Sequence, residues 1–203
     1  MSRKLVFILA AMVLLFMLAL PVYAAPEIGK AAPEFSGTDI DGHEFSLSAL
    51  KGKKVVLEWT NHQCPFVMKH YDSGNMQAMQ KAAQKKGVEW ISIISSAPGR
   101  QGHVSAEEAN KIVSDSGATI TAKILDETGT IGKAYDAKTT PHMFVIDAEG
   151  NVAYAGAIDS QPSPNPATIE GATNYVNAAI DALEAGQPVE VAQTQPYGCS
   201  VKY

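Results

Sequence analysis

Apolar residues along the chain gather in short blocks, each closed by glycine, proline or a polar cluster, and the blocks alternate between two periods. Val55-Val56-Leu57-Glu58-Trp59 is short and rich in β-branched residues, which predicts a buried strand over 54–60. Further apolar runs predict strands over 88–95 and 123–126. Two more, over 142–147 and 152–156, flank Ala148-Glu149-Gly150-Asn151 and read as a strand hairpin. Residues 34–47 split around Asp41-Gly42, a hairpin-turn signal.

Between these runs the period lengthens. Pro65 opens a helical pattern over 65–71, Ser73-Gly74 interrupts it, and 75–86 resumes it until Gly87 closes it. Ser105-Ala106-Glu107-Glu108 is a capping box opening a helix that runs to 116. A short helix is expected over 129–135 and an amphipathic one over 168–184. The run Gln161-Pro162-Ser163-Pro164-Asn165-Pro166 reads as a surface loop, and 186–203 as an irregular tail. Strands alternating with helices predict an α/β fold: a three-layer sandwich with a mixed central sheet and helices on both faces.

The first residues change the picture. Arg3 and Lys4 precede sixteen unbroken apolar residues from Leu5 to Leu20, followed by Pro21-Val22-Tyr23-Ala24-Ala25. A basic start, an apolar stretch and small residues at Val22 and Ala24 describe a secretory signal peptide over 1–24. The apolar stretch is shorter than the about 20 residues a membrane span needs. An uncleaved N-terminal anchor is the alternative. The mature chain is expected to be periplasmic or secreted, where disulfides persist, with no stable membrane span after cleavage.

That mature chain divides into one domain over 25–186 and a tail over 187–203. Losing Arg3 and Lys4 takes the formal charge from −5 to −7 and leaves Arg100 as its one arginine, which argues against a nucleic-acid partner. Two cysteines are too few for a disulfide-stapled scaffold, and no zinc-type cysteine pair is present.

Candidate chemistry centres on Cys64. It follows the strand at 54–60 and immediately precedes the helix-opening Pro65. A thiol there faces free backbone N–H groups and the positive end of the helix dipole, which favours thiolate. Free cysteine also packs as a small apolar residue. Strand-to-helix placement favours the reactive reading.

A family resemblance rests on several pieces in order. These are Ala32-Pro33-Glu34-Phe35, the stretch Leu47-Ser48-Ala49-Leu50-Lys51-Gly52-Lys53, the strand before Cys64, Thr140-Pro141, and Phe144-Val145-Ile146-Asp147-Ala148-Glu149-Gly150. Over about 27–185 the chain resembles the redoxins, thioredoxin-fold proteins of the peroxiredoxin (AhpC/TSA) and periplasmic thioredoxin-like reductase type. The tail around Tyr197-Gly198-Cys199 looks like the C-terminus of a peroxiredoxin-like branch.

The resemblance implies a thioredoxin-like sandwich, with Pro141 as its cis-proline and Thr140 presenting backbone to an incoming peptide. Glu58, six residues before Cys64, matches the offset of thioredoxin's buried aspartate and is a candidate proton handler. His62 and His142 would flank the thiol as base or as thiolate-stabilising cation. Trp59 and Phe66 would pack the core and the rim of the site. Lys69 and His70, further along the helix, read as solvated groups.

Departures from the family matter as much. Val67 stands where thioredoxins carry their second cysteine, so no Cys-x-x-Cys disulfide can form. Asn61 and Leu57 stand where peroxiredoxins place Thr or Ser and Pro, and no arginine lies near Pro141.

The expectation is therefore an exported thiol–disulfide oxidoreductase or peroxiredoxin-like antioxidant. Cys64 would be the nucleophile, toward a disulfide in a thiol protein or toward a peroxide, and Cys199 would resolve the intermediate. Alternatively Cys199 is a free thiol on a frayed tail. An external thiol reductant completes the cycle, and no cofactor is implied. Two other readings are a copper(I) site built from Cys64, His62 and His142, and a binding module without turnover.

Overall fold

The computed structural model describes residues 25–203, so the expected leader over 1–24 lies outside the described residues. The apolar run that opens the chemistry becomes β3 (Val55–Trp59), the middle strand of a five-stranded sheet. Ahead of it, β1 (Ser36–Thr38) and β2 (Glu44–Ser46) form the predicted hairpin. Next come α1 (Pro65–Asp72), α2 (Asn75–Lys85), β4 (Glu89–Ile94), α3 (Ala106–Ser116), β5 (Ala122–Leu125) and α4 (Thr130–Ala134). The chain continues through β6 (Thr139–Thr140), β7 (His142–Ile146), β8 (Val152–Gly156), α5 (Tyr175–Glu184) and β9 (Cys199–Ser200).

The main sheet runs β5-β4-β3-β7-β8. β3, β4 and β5 are parallel, β7 runs antiparallel to β3, and β8 antiparallel to β7, giving the expected mixed sheet. Strand alternation divides β3 between two cores. Leu57 and Trp59 pack with Ile91, Ile93 and Phe144 against Tyr135 and the α4 residue Ile131. Val56 packs on the other side with Trp90 and Val145 under Met76 of α2 and Ile180 of α5. Apolar burial on both faces is what drives the three layers together. Among the described residues no helix is long and apolar enough to cross a membrane.

One expectation fails. The last helix starts at Tyr175, seven residues after the predicted start at 168. Gly171 takes φ +77 and breaks the pattern, and Asn174 then caps the true start by accepting the Asn177 N–H at 2.9 Å. The tail is irregular over most of its length, as expected, but it is docked and not frayed. Thr194 donates its N–H to the Ala155 carbonyl at 3.1 Å, and Ala155 donates to Ala192 at 3.1 Å. Further on, Ala97 donates to the Lys202 carbonyl at 2.9 Å, and the Tyr203 hydroxyl donates to the Ala137 carbonyl at 2.8 Å. Glycine clears its path: a methyl at Gly132 would collide with the Tyr203 ring, and one at Gly198 with the Thr140 carbonyl.

Candidate active site

Cys64 is the N-cap of α1, with extended backbone at φ −87 and ψ 122. The Asn61 side chain accepts the Gln63 N–H at 2.9 Å and the Asn61 carbonyl accepts the Cys64 N–H at 2.9 Å, bending strand into helix. Pro65 occupies the first helical turn, where its missing N–H costs nothing. The sulfur is fully buried and reaches the Thr140 carbonyl at 3.1 Å. The Thr140–Pro141 peptide bond is cis.

The tail supplies the second sulfur. β9 pairs antiparallel with β6, Cys199 lying opposite Thr140 and Ser200 opposite Thr139. Gly198, at φ +136, allows the tail backbone to pass directly over Thr140. This ladder places Cys199 Sγ 2.7 Å from Cys64 Sγ, both thiols being free. Cys199 is half-buried.

The two thiols are electrostatically unequal. Burial pushes the Cys64 thiol up, but hydrogen bonds from the Cys199 thiol and from the Cys199 and Val67 backbone outweigh it and hold Cys64 below the usual thiol range. Cys199 is pushed up to about 11, first by burial and then by the neighbouring Cys64 sulfur. Of the pair, Cys64 is the thiol that ionises more readily and Cys199 the one that holds its proton longer.

Other predicted residues fall in three groups. Thr140 and Pro141 lie at the sulfur, and Phe66 sits at the rim with its ring edge-on to Tyr197 at 5.8 Å. Glu58 is fully buried on the α2 side of the sheet. It accepts the Trp90 indole N–H at 2.8 Å and the Tyr71 hydroxyl at 2.9 Å, and makes no hydrogen bond to Cys64. Trp59 packs the core and lies away from the substrate side. It points to the opposite face, is wholly buried against Tyr135 and Phe144, and donates its indole N–H to Ser95 at 3.0 Å.

Neither histidine serves the sulfur as a cation. Burial is the largest influence on both and lowers both, His142 to about 4. His142 accepts the Lys138 N–H at 3.3 Å and stacks on Phe144. His62 lines a cavity of about 310 Å³ between α1 and α3, with Val67, Ile112 and Lys123. The copper(I) reading loses its site on geometry, because Cys64, His62 and His142 do not bring their ligand atoms within mutual reach. Among the described residues the one cluster with metal-ligating atoms in mutual reach is Asp39, Asp41 and His43, in the β1–β2 turn.

Sequence reasoning missed the polar groups behind the thiols. Lys69 and His70, expected to be solvated, are buried. Lys69 Nζ donates to Asp159 Oδ2 at 3.2 Å and to the Gln161 carbonyl at 3.0 Å. The Tyr197 hydroxyl donates to Asp159 Oδ1. The signal available was the helical spacing of Phe66, Lys69 and His70, which puts all three on one face of α1.

The AhpC/TSA family profile matches residues 28–155, well over half of the chain. The chain belongs to the AhpC/TSA family. Curated relatives agree. It is 30% identical over 129 residues to the thiol-disulfide oxidoreductase ResA of Bacillus thuringiensis subsp. konkukian, covering 62% of this chain and 67% of the relative. It is similarly 29% identical to ResA of Geobacillus kaustophilus over 63% of this chain and 68% of that one. Among solved structures, an uncharacterized conserved protein from Geobacillus kaustophilus superposes with TM-score 0.76 at 30% identity, covering 87% of this chain and 92% of that chain. A hypothetical protein from Sinorhizobium meliloti 1021, at 23% identity, shares the fold with TM-score 0.74 over 89% of this chain and 96% of that one. This AhpC/TSA protein is a thioredoxin-fold, thiol-dependent oxidoreductase.

The loop differs from the peroxiredoxin pattern expected from the resemblance. Asn61, in place of a hydroxyl residue, is buried and spends its side chain on the Gln63 N–H and the Gln101 carbonyl, shaping the turn. Leu57, in place of proline, is core. Arg100 is exposed and makes no hydrogen bond to the thiol.

Proposed function

We propose that this protein is an exported thiol–disulfide oxidoreductase that cycles between two thiols and an intramolecular Cys64–Cys199 disulfide. The observation that carries the reading is the β6–β9 ladder, which holds the two free sulfurs 2.7 Å apart. A thiolate beside a thiol of higher pKa is the division of labour that exchange needs. The leader-like pattern over 1–24 supports export to an oxidising compartment.

In the reducing direction the steps balance without a cofactor. The tail leaves the Thr139–Thr140 edge and the substrate disulfide takes its place. The Cys64 thiolate attacks one sulfur, the substrate S–S bond breaks, and the first thiolate leaves and takes up a proton. Cys199 returns, gives its proton to solvent, and attacks the Cys64 sulfur. The Cys64–Cys199 bond forms as the second substrate thiolate leaves. The substrate gains two electrons and the protein loses two. An external dithiol restores the reduced form by the reverse exchange.

A disulfide is favoured over a peroxide as substrate because the sulfur lies beside a backbone edge that already accepts an extended strand, β9. The loop also lacks the family's usual peroxide-activating residues at Asn61 and Leu57. Stopped-flow oxidation of the reduced mature protein by a peptide disulfide and by hydrogen peroxide tests this. The disulfide should react much faster at equal concentration. Faster reaction with peroxide, through a Cys64 sulfenic acid, would overturn the choice of substrate.

A further inference from the structure

The polar cluster beneath the tail joins three segments that are distant in sequence. From α1 come Phe66 and Lys69, on the helix that Cys64 caps. From the segment after β8 comes Asp159, and from the tail comes Tyr197, two residues before Cys199. Asp159 is 3% exposed and binds on both oxygens. Oδ2 takes the Lys69 ammonium at 3.2 Å and lies 3.8 Å from His70 Nε2. Oδ1 accepts the Tyr197 hydroxyl and the Gln161 N–H, the latter at 2.8 Å. The Tyr197 ring is held edge-on by Phe66 at 5.8 Å and lies 5.7 Å from Lys69 Nζ.

A wholly buried Lys–Asp pair is a poor way to gain stability, because desolvation of both charges offsets their attraction. It is a good way to fix geometry. A carboxylate with two oriented partners, one rigid on the helix and one on the tail, transmits the position of one to the other. Only Gly198 then separates Tyr197 from Cys199, too little chain to absorb much slack.

Building on the assignment of Cys199 as the resolving thiol, we propose that Asp159 is a positioning residue of the thiol pair: by gripping Lys69 of α1 and Tyr197 of the tail, it seats Cys199 over Cys64. It touches neither sulfur and acts through Tyr197. The grip also gives the tail a place to return to after a substrate has displaced it. Loss of the grip should slow closure of the disulfide without slowing the first attack by Cys64, which the seated tail covers.

Reaction of the reduced mature protein with DTNB separates these steps. Cys64 thiolate attacks the reagent's disulfide and releases one thionitrobenzoate, leaving Cys64 in a mixed disulfide. Cys199 thiolate then attacks Cys64 and releases the second. Tyr197→Phe should slow the second release by about tenfold or more, the scale of losing one charge-assisted hydrogen bond at a geometrically demanding step. Its first release should be no slower than that of the wild type, and its melting temperature should stay near the wild-type value. A Lys69→Met/Asp159→Leu double variant, which removes both buried charges together, should show the same split if it folds. An unchanged second release in Tyr197→Phe overturns the proposal, as does equal slowing of both phases. If the wild-type protein itself releases only one equivalent, the assignment of Cys199 has failed, and the positioning role falls with it.

Discussion

Cys199 stands directly opposite Thr140 in a two-residue antiparallel ladder, and that pairing brings the tail's sulfur to 2.7 Å from Cys64. The edge beside the cis peptide, where the sequence suggested an incoming peptide would dock, is occupied by the protein's own C-terminus. One backbone contact thus delivers the second thiol and covers the first.

The ladder depends on Gly198. At φ +136, with the Thr140 carbonyl where a side chain would begin, no other residue fits without moving the tail. Gly198→Ala should slow Cys64–Cys199 closure by at least about tenfold, because a shift near 1 Å is costly for a thiol that must attack in line. The same variant should alkylate faster at Cys64, and mass spectrometry after iodoacetamide would read both effects.

Ionisation of Cys64 reflects burial, which raises it, against hydrogen bonds led by the Cys199 thiol, which lower it further than burial raises it. Alkylation rate against pH should therefore show an inflection below the ~8.5 of an ordinary thiol. Cys199→Ala should move that inflection upward. An inflection unaffected by the substitution would mean that Cys199 does not stabilise the thiolate.

Much of this fold was legible in sequence because its signals are local. The Val55–Trp59 run, the capping box at Ser105 and the Cys64-Pro65 junction each specify their element from adjacent residues. What escaped was set by partners far along the chain. Lys69 and His70 look solvated on a helix until Asp159, ninety residues from Lys69, covers them. Tail docking depends on glycines at 132 and 198, which sequence alone reads as turn formers. Trp59 and Glu58 are adjacent, and pleating sends them to opposite cores, so only the register of β3 against its neighbours separates their roles.

Glu58 holds two donors in the dry interior, the Trp90 indole and the Tyr71 hydroxyl. Glu58→Leu leaves both unsatisfied and should destabilise the fold by about 3 kcal/mol. Glu58→Gln, which keeps an acceptor, should cost less. Urea denaturation of the two variants checks the order.

His142 gives the fold a dependence on acid. Burial, the largest influence, lowers it to about 4, whereas an unfolded imidazole takes its proton near ~6.5. The unfolded chain therefore binds more protons between those values. The contribution is full above pH ~6.5 and is lost as pH falls toward 4, reaching on the order of 3 kcal/mol below that. Urea midpoints should fall across this window, and His142→Gln, which can still accept the Lys138 N–H, should lessen the fall, the remainder coming from His70, which burial also lowers to about 4. A pH-independent midpoint in the wild type would contradict the buried neutral imidazole.

The most direct test is the mass and connectivity of the oxidised protein. Reduced mature chain treated with one equivalent of a peptide disulfide should lose two hydrogens, remain monomeric, resist alkylation at both cysteines, and yield a peptide linking Cys64 to Cys199 after digestion. Disulfide-linked dimers, or a stable adduct on Cys64 with Cys199 still free to alkylate, would contradict an intramolecular dithiol cycle.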